Sequence, residues 1–342
     1  MLMDSSLSNT PYEVTEGFIL LGRKGVYKVE TFIGEGKVAK CKKLGTDQVV
    51  AIKIIWGSGQ MEINALQGFS QIDADDHNLV KFMESFKYKK YTCIAFEALD
   101  QSLLHFMEKR DFHPLTVDEI RTITWQLIVA LKGLKSINLV HCDIKLDNIM
   151  LVDQGSEPFR VKLIDFGLAE KIGHMRTGAP IQNICYRAPE VILGLPLDQR
   201  VDLWTVGYVL FTKENSQDVW NCLDKTKLKE LEQLVDLLKR MLMEDPSKRI
   251  SPSEALHHPF FTMGRVQPTA GAHTTNPEDT HTPPPSKYTF QHKQTHMLTQ
   301  TLSNTHTCTH VLQGRWDLGP SVPYPRFPTV SYRRFGLLYM RC

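Results

Sequence analysis

Residues 141–148 read His141-Cys142-Asp143-Ile144-Lys145-Leu146-Asp147-Asn148, and the rest of the chain takes its meaning from them. A short extended run, Ile137-Asn138-Leu139-Val140, delivers the backbone to this stretch, and Ile149-Met150-Leu151-Val152 leaves it. Asp143, Lys145 and Asn148 therefore share a loop between two apolar segments. Asp165-Phe166-Gly167 follows seventeen residues after Asn148, at the end of a second strand-like run, and Ala188-Pro189-Glu190 comes later. Phosphoryl transfer needs a base to orient a hydroxyl, a cation for the moving group and oxygen ligands for Mg²⁺; this set holds all three.

The order HxDxxxxN, DFG, APE is the protein-kinase signature set, and on these residues the sequence resembles a eukaryotic protein kinase. The resemblance implies an α+β, two-lobed protein-kinase fold, a small β-rich lobe followed by a larger helical one. The alternative for Asp143 and Asp165, solvated loop carboxylates, has to explain several separate motifs in the right order.

Composition sets outer bounds. The 342 residues carry 40 Lys and Arg against 38 Asp and Glu, a formal net charge of +2, so bulk charge gives no argument for nucleic-acid binding. Seven cysteines, odd and scattered, do not form a disulfide framework and favour a reducing compartment. No apolar run approaches the roughly 18 residues of a membrane span. Met1 to Thr10 is polar without an apolar h-region, so no secretory signal is expected. The expected organisation is a leader over 1–20, a kinase domain over 21–262 and a tail over 263–342. The domain divides into a small lobe of about 21–99 and a large lobe of about 100–262. The tail is rich in Thr, His and Pro, has little to bury and is expected to be disordered. Its histidines show no recurring metal-ligand spacing. Its Thr–His alternation is also what a translated dinucleotide repeat gives, and part of it is read as an imperfect gene model.

In the small lobe, Tyr27 to Ile33 alternates like a strand, Lys37 to Cys41 reads as a second, and Val49-Val50-Ala51-Ile52-Lys53-Ile54-Ile55 is a third, with Ala51 and Lys53 two apart and hence on one face. The alternative for Lys53 is a solvated edge-strand lysine. Gly34-Glu35-Gly36 lies between the strands but does not fit GxGxxGxV in full. Read forward, Ala39 and Cys41 fill the last glycine and valine slots. Read backward from Lys53, Gly36 and Val38 fill them, at the cost of about three residues from the loop tip. The backward reading keeps the lengths of the following strands and is preferred. Gln60 to Leu66 has a helical period, and Glu62 is the candidate partner of Lys53; its alternative is a solvent-face carboxylate. Asn78 to Phe82 and Tyr91 to Phe96 read as strands. By the kinase resemblance Glu97-Ala98-Leu99 matches the hinge and Phe96 sits at the back of the pocket; the alternative for Phe96 is a core aromatic.

Ser102 to Lys109 and Thr116 to Ser136 are predicted helices, with Leu127, Leu131 and Leu134 on one apolar face. Leu151 reads as a pocket floor. Asp202-Leu203-Trp204-Thr205-Val206-Gly207 starts a buried helix, after which the large lobe looks truncated: Phe211 runs quickly to Trp220. Helices return at Leu228 to Leu242 and Pro252 to His257, with Arg249 between them as the expected partner of Glu190.

Three stretches narrow the resemblance: Tyr91 to Glu97, Asn148 to Asp153, and Tyr186 to Pro196 are similar to homeodomain-interacting protein kinases, relatives of the dual-specificity tyrosine-regulated kinases. The resemblance implies ATP and Mg²⁺ as cofactors and protein Ser/Thr hydroxyls as substrates, transcription regulators among them. Charge balance and the lack of a long apolar run leave no expectation of direct nucleic-acid or membrane partners; the location is expected to be intracellular, and the resemblance favours the nucleus, with the cytoplasm as the alternative. Carried over, Asp143 is the base and Lys145 the cation on the transferred phosphate; Asn148 and Asp165 hold Mg²⁺. Ile33, Gly34, Gly36, Val38, Ala51, Lys53, Glu62, Phe96, Glu97, Leu99 and Leu151 form the nucleotide site. Three departures bear on regulation. Cys142 stands where many kinases have arginine, Pro180 where this family has its autophosphorylated tyrosine, and Ile184 where it has a nearby arginine, while Arg187 remains. The shortened glycine loop and the large-lobe gap raise the alternative of a pseudokinase acting as a binding module.

Overall fold

The computed structural model describes residues 14–33, 38–211 and 225–262. Gly34, Gly36, the large-lobe gap around 212–224 and the tail from residue 263 lie outside the described residues, so the expectations for them rest on sequence.

Six antiparallel strands form the first sheet, in the order β1-β2-β3-β4-β6-β5. They are β1 (Ile19–Leu21), β2 (Val26–Ile33), β3 (Val38–Lys43), β4 (Val49–Trp56), β5 (Phe82–Tyr88) and β6 (Tyr91–Glu97). Alternation decides the faces. Tyr27, Val29, Ala39, Cys41, Val50 and Ile52 are buried together in one apolar cluster with Leu20, Cys93 and Ala95, so Val38, Ala51 and Lys53 fall on the other face. Two features differ from the sequence reading. β1 pairs with β2 from Ile19↔Lys28 to Leu21↔Val26, within and just after the stretch read as a leader; three residues are too short to show a period. The strand read at Asn78–Phe82 instead begins at Phe82. Asn78 sits at φ +50, and Val80 donates to Leu163 O at 3.1 Å, so 78–81 turn toward a different strand.

Helix α1 (Gln60–Gln67) follows β4 directly. In the second half of the domain, α2 (Leu103–Lys109) and α3 (Val117–Ser136) start where their capping side chains predict. Ser102 accepts from His105 N, and Thr116 with Glu119 forms a capping box. Leu127, Leu131 and Leu134 on α3 are buried beside Leu203, Val206 and Val209 of α5 (Arg200–Phe211) and Leu231, Leu234 and Leu238 of α6 (Lys225–Met241). α5 is apolar almost all round, the pattern of a helix at the centre of a core. Two small sheets carry the loop of interest: β7 (Leu139–Val140) pairs with β10 (Glu170–Lys171), and β8 (Ile149–Asp153) with β9 (Glu157–Leu163). The short helices α4 (Pro189–Ile192) and α7 (Pro252–Ala255) complete the described elements.

Candidate active site

The 141–148 loop hangs between β7 and β8, and buried Asp202 at the start of α5 holds it from below. Asp202 accepts from His141 N at 2.6 Å and Cys142 N at 3.0 Å, although burial raises its pKa. These bonds secure Cys142 at φ +64, a backbone conformation unusual for a side chain with a Cβ. His141 is fully buried. It accepts from Asp143 N at Nδ1 (3.2 Å) and faces Ile164 O with Nε2 (2.9 Å), which places its proton on Nε2. Asp202 and His141 are positioning residues that sequence reading left without a role; one carboxylate at the head of an otherwise apolar helix was the available signal.

Asp143 faces two donors. Lys145 Nζ lies 3.0 Å from Asp143 Oδ2, and Asn148 Nδ2 donates to the same oxygen at 3.0 Å and to Asp143 O at 2.7 Å. The amide of Asn148 is thereby oriented, and Oδ1 is the oxygen that these bonds do not use. Ile164 N donates to Asn148 O at 2.9 Å, which ties the loop to the backbone just ahead of Asp165.

Lys53 Nζ bridges Glu62 Oε2 and Asp165 Oδ1, each at 2.7 Å, so the pair between β4 and α1 is formed. Burial alone would lower the Lys53 pKa, but the two carboxylates outweigh it and raise it. Burial raises that of Glu62 despite Lys53. Burial also opposes ionisation of Asp165, but Lys53 and the Gly167 N–H prevail and lower its pKa. Gly167 fits because a Cβ there would lie 3.1 Å from Asp165 Oδ1 and 3.4 Å from Lys53 Nζ. Phe166 stacks edge-on to Phe69 (4.7 Å) and His141 (4.9 Å), joining the segment after α1 to the 141–148 loop.

The pocket residues come together in part. β2 and β3 pair through Ile33↔Val38, β3 and β4 through Val38↔Lys53, and β4 and β6 through Ala51↔Phe96. Phe96 and Leu151 are buried. Leu99 is half-buried against the same core, and Leu151 is bonded through its backbone to Asp100 (3.1 Å) and Gln101 (2.8 Å). The Glu97 carboxylate turns away into a network that the sequence did not reveal. It accepts from Lys81 N at 2.7 Å and from buried Lys162 at 2.6 Å, and Lys162 also pairs with Asp75. The backbone N–H of Glu97 is committed as well, donating to Lys81 O at 3.1 Å.

Mg²⁺ needs no protein-only cage, since one or two carboxylates suffice beside phosphate oxygens. Among the described residues no group of three or more His, Cys, Asp or Glu side chains is placed to hold a metal. Asp165 and Asn148 carry side-chain oxygens of the kind such a shared site takes, so the residues present fit the ion.

Residues 27–261 match the protein kinase domain family. The chain belongs to the protein kinase family. It is 32% identical to homeodomain-interacting protein kinase 2 of Mesocricetus auratus over 352 aligned positions, 75% of this chain and 30% of that protein. It is 40% identical to homeodomain-interacting protein kinase 1 of Caenorhabditis elegans over 58% of this chain and 25% of that one. With homeodomain-interacting protein kinase 4 of Homo sapiens it shares 39% identity over 51% and 30%. The chain thus spans less than a third of the length of these relatives. In the first comparison 75% of 342 residues is about 257, about 95 fewer than the 352 aligned positions. The hamster protein therefore has internal stretches that this chain lacks.

Proposed function

We propose that this chain is a protein serine/threonine kinase that transfers the γ-phosphate of ATP, with Mg²⁺, to hydroxyls of protein substrates. The observation that carries the reading is that both polar groupings of the site are complete and closed: Lys53 on Glu62 and Asp165, and Asp143 on Lys145 and Asn148. A pseudokinase reading would be favoured by a lost or diverted member, and none of these residues is lost.

In this reading Asp143 accepts the proton of the incoming hydroxyl, and Lys145, 3.0 Å from it, steadies the charge of the transferred group. Lys53, held by Glu62, positions the nucleotide phosphates. Mg²⁺, when bound, neutralises phosphate charge; Asn148 and Asp165 would hold it. Val38, Ala51 and Leu151 enclose the adenine, with the backbone at Glu97 and Leu99 pairing its edge. Glycines 34 and 36 belong to the same reading on sequence alone. The relatives are named for interaction with homeodomain proteins; transcription regulators as substrates and a nuclear location are proposed here on that similarity.

The test uses purified chain, ATP, Mg²⁺ and a generic basic Ser/Thr protein. Phosphate transfer is expected, and Asp143→Asn should reduce it by about 10³-fold or more while ATP binding changes little, because the base acts on the acceptor. A parent chain that binds nucleotide but transfers no more than Asp143→Asn would defeat the proposal.

A further inference from the structure

Only Gly57-Ser58-Gly59 connects β4, which carries Lys53, to α1, which carries Glu62. Three residues reach about 10 Å when fully extended, so the helix has little slack. Both glycines have positive φ, +89 and +54. A Cβ on Gly59 would lie 3.1 Å from Ile55 Cδ1 and 3.3 Å from Thr92 Cγ2, so the linker rests directly on the end of the sheet.

Its polar groups are secured there. Gly57 N donates to Lys90 O at 3.0 Å. Lys87 Nζ donates to Gly57 O at 2.9 Å and reaches Ser58 O at 3.5 Å. Lys87 also donates to the Thr92 hydroxyl, whose own proton is shared between Gly57 O and Ser58 O. Lys87 and Thr92 are cross-strand partners on β5 and β6, and Thr92 is opposite Ile55 on β4. Thr92 is buried, so its hydroxyl has no ready replacement in water.

α1 needs such support. It has eight residues, begins at a glycine without a side-chain cap, and is too short to be stable by itself. Its far end is held by Phe69 against Phe166. We propose that Lys87 and Thr92 are positioning residues: by clamping the Gly57 and Ser58 carbonyls they hold α1 inward and keep Glu62 on Lys53. This rests on the kinase reading for its catalytic consequence, but not for the clamp itself.

The experiment follows α1 and turnover separately in the full chain. Thr92→Val keeps the shape and removes the hydroxyl; Lys87→Met removes the ammonium at an exposed position. Each is expected to raise amide exchange over residues 60–67 about tenfold relative to β8 and β9. Thr92→Ser, which keeps the hydroxyl, should stay near the parent. With protein substrate, kcat should fall about tenfold in the first two variants while the KM for that substrate changes by less than about twofold. Unchanged exchange in Lys87→Met overturns the clamp, whether or not Thr92→Val folds. Equal loosening by Thr92→Ser and Thr92→Val assigns the effect to packing and also overturns it. Raised exchange with unaltered kcat removes the positioning role. A parent without any transfer defeats the kinase reading alone, since the exchange measurements still decide the clamp.

Discussion

Arg249 and Glu190 show what a single residue carries here. Their side chains are 0% and 1% exposed and meet through two bonds, 2.6 and 2.9 Å. Arg249 also donates to Met243 O and Arg200 O and lies over the Trp204 ring. Removing one partner leaves a buried carboxylate without its counter-charge, at a cost of about 3–5 kcal/mol. Arg249→Ala should therefore lower the melting temperature by on the order of 10 °C, as read by calorimetry. A shift within error would mean that Glu190 finds another partner. This pair was legible in the sequence, because motif order places both ends. Lys162 was not: a lysine inside an apolar strand gives no sign that two carboxylates from distant segments, Glu97 and Asp75, will meet it. Nor was Gln182, at φ +65, whose side chain donates to Val201 O and Thr205 and accepts from Ala188 N. Local pattern reports periodicity, whereas these roles depend on what the fold brings across.

Elements with a long period or a capping signal were readable: β2, β4, α2, α3 and α6 lie close to where their sequences place them. β1 and the start of β5 were not, since three residues show no period and the bend at Asn78 is set by pairing with Leu163. The hairpin between β2 and β3 is the element whose length bears on function. Ile33 pairs with Val38, leaving four residues between them where GxGxxGx has seven positions. The register Val38↔Lys53 agrees with the backward reading of this hairpin. Four residues provide fewer backbone N–H groups over the phosphates than seven. A small residue, Phe and Gly inserted after Gly36 should accordingly lower the dissociation constant for ATP about fivefold or more, roughly 1 kcal/mol, measured by titration calorimetry. Equal affinity in parent and insertion variant would mean that the short hairpin already covers the nucleotide, with Ala39 closing the loop.

At the scale of the molecule, the segment from Asp165 to Glu190 runs from the Lys53–Glu62–Asp165 group to the buried Glu190–Arg249 pair. Where many kinases place an arginine to receive an activation-loop phosphate, Cys142 is buried with Val140, Ala188, Val191, Val201 and Trp204. The segment begins in the β10–β7 pairing, Glu170↔Val140 and Lys171↔Leu139. It ends with Gln182 fixed on α5, and Arg187, the cation that remains, spends Nε on Ile181 O (3.0 Å) and Nη2 on Gln182 O (2.9 Å). Pro180 has no hydroxyl to modify. Apolar packing around Cys142 and hydrogen bonds from Gln182 and Arg187 thus hold this segment without a phosphate. Activity should accordingly not depend on phosphorylation of this segment. Purified chain treated with phosphatases acting on Tyr and on Ser/Thr phosphates, then separated from them, should transfer phosphate within about twofold of untreated material. A loss of about tenfold or more, recovered after preincubation with ATP, would show that a phosphate on this segment finds a cation other than Arg187.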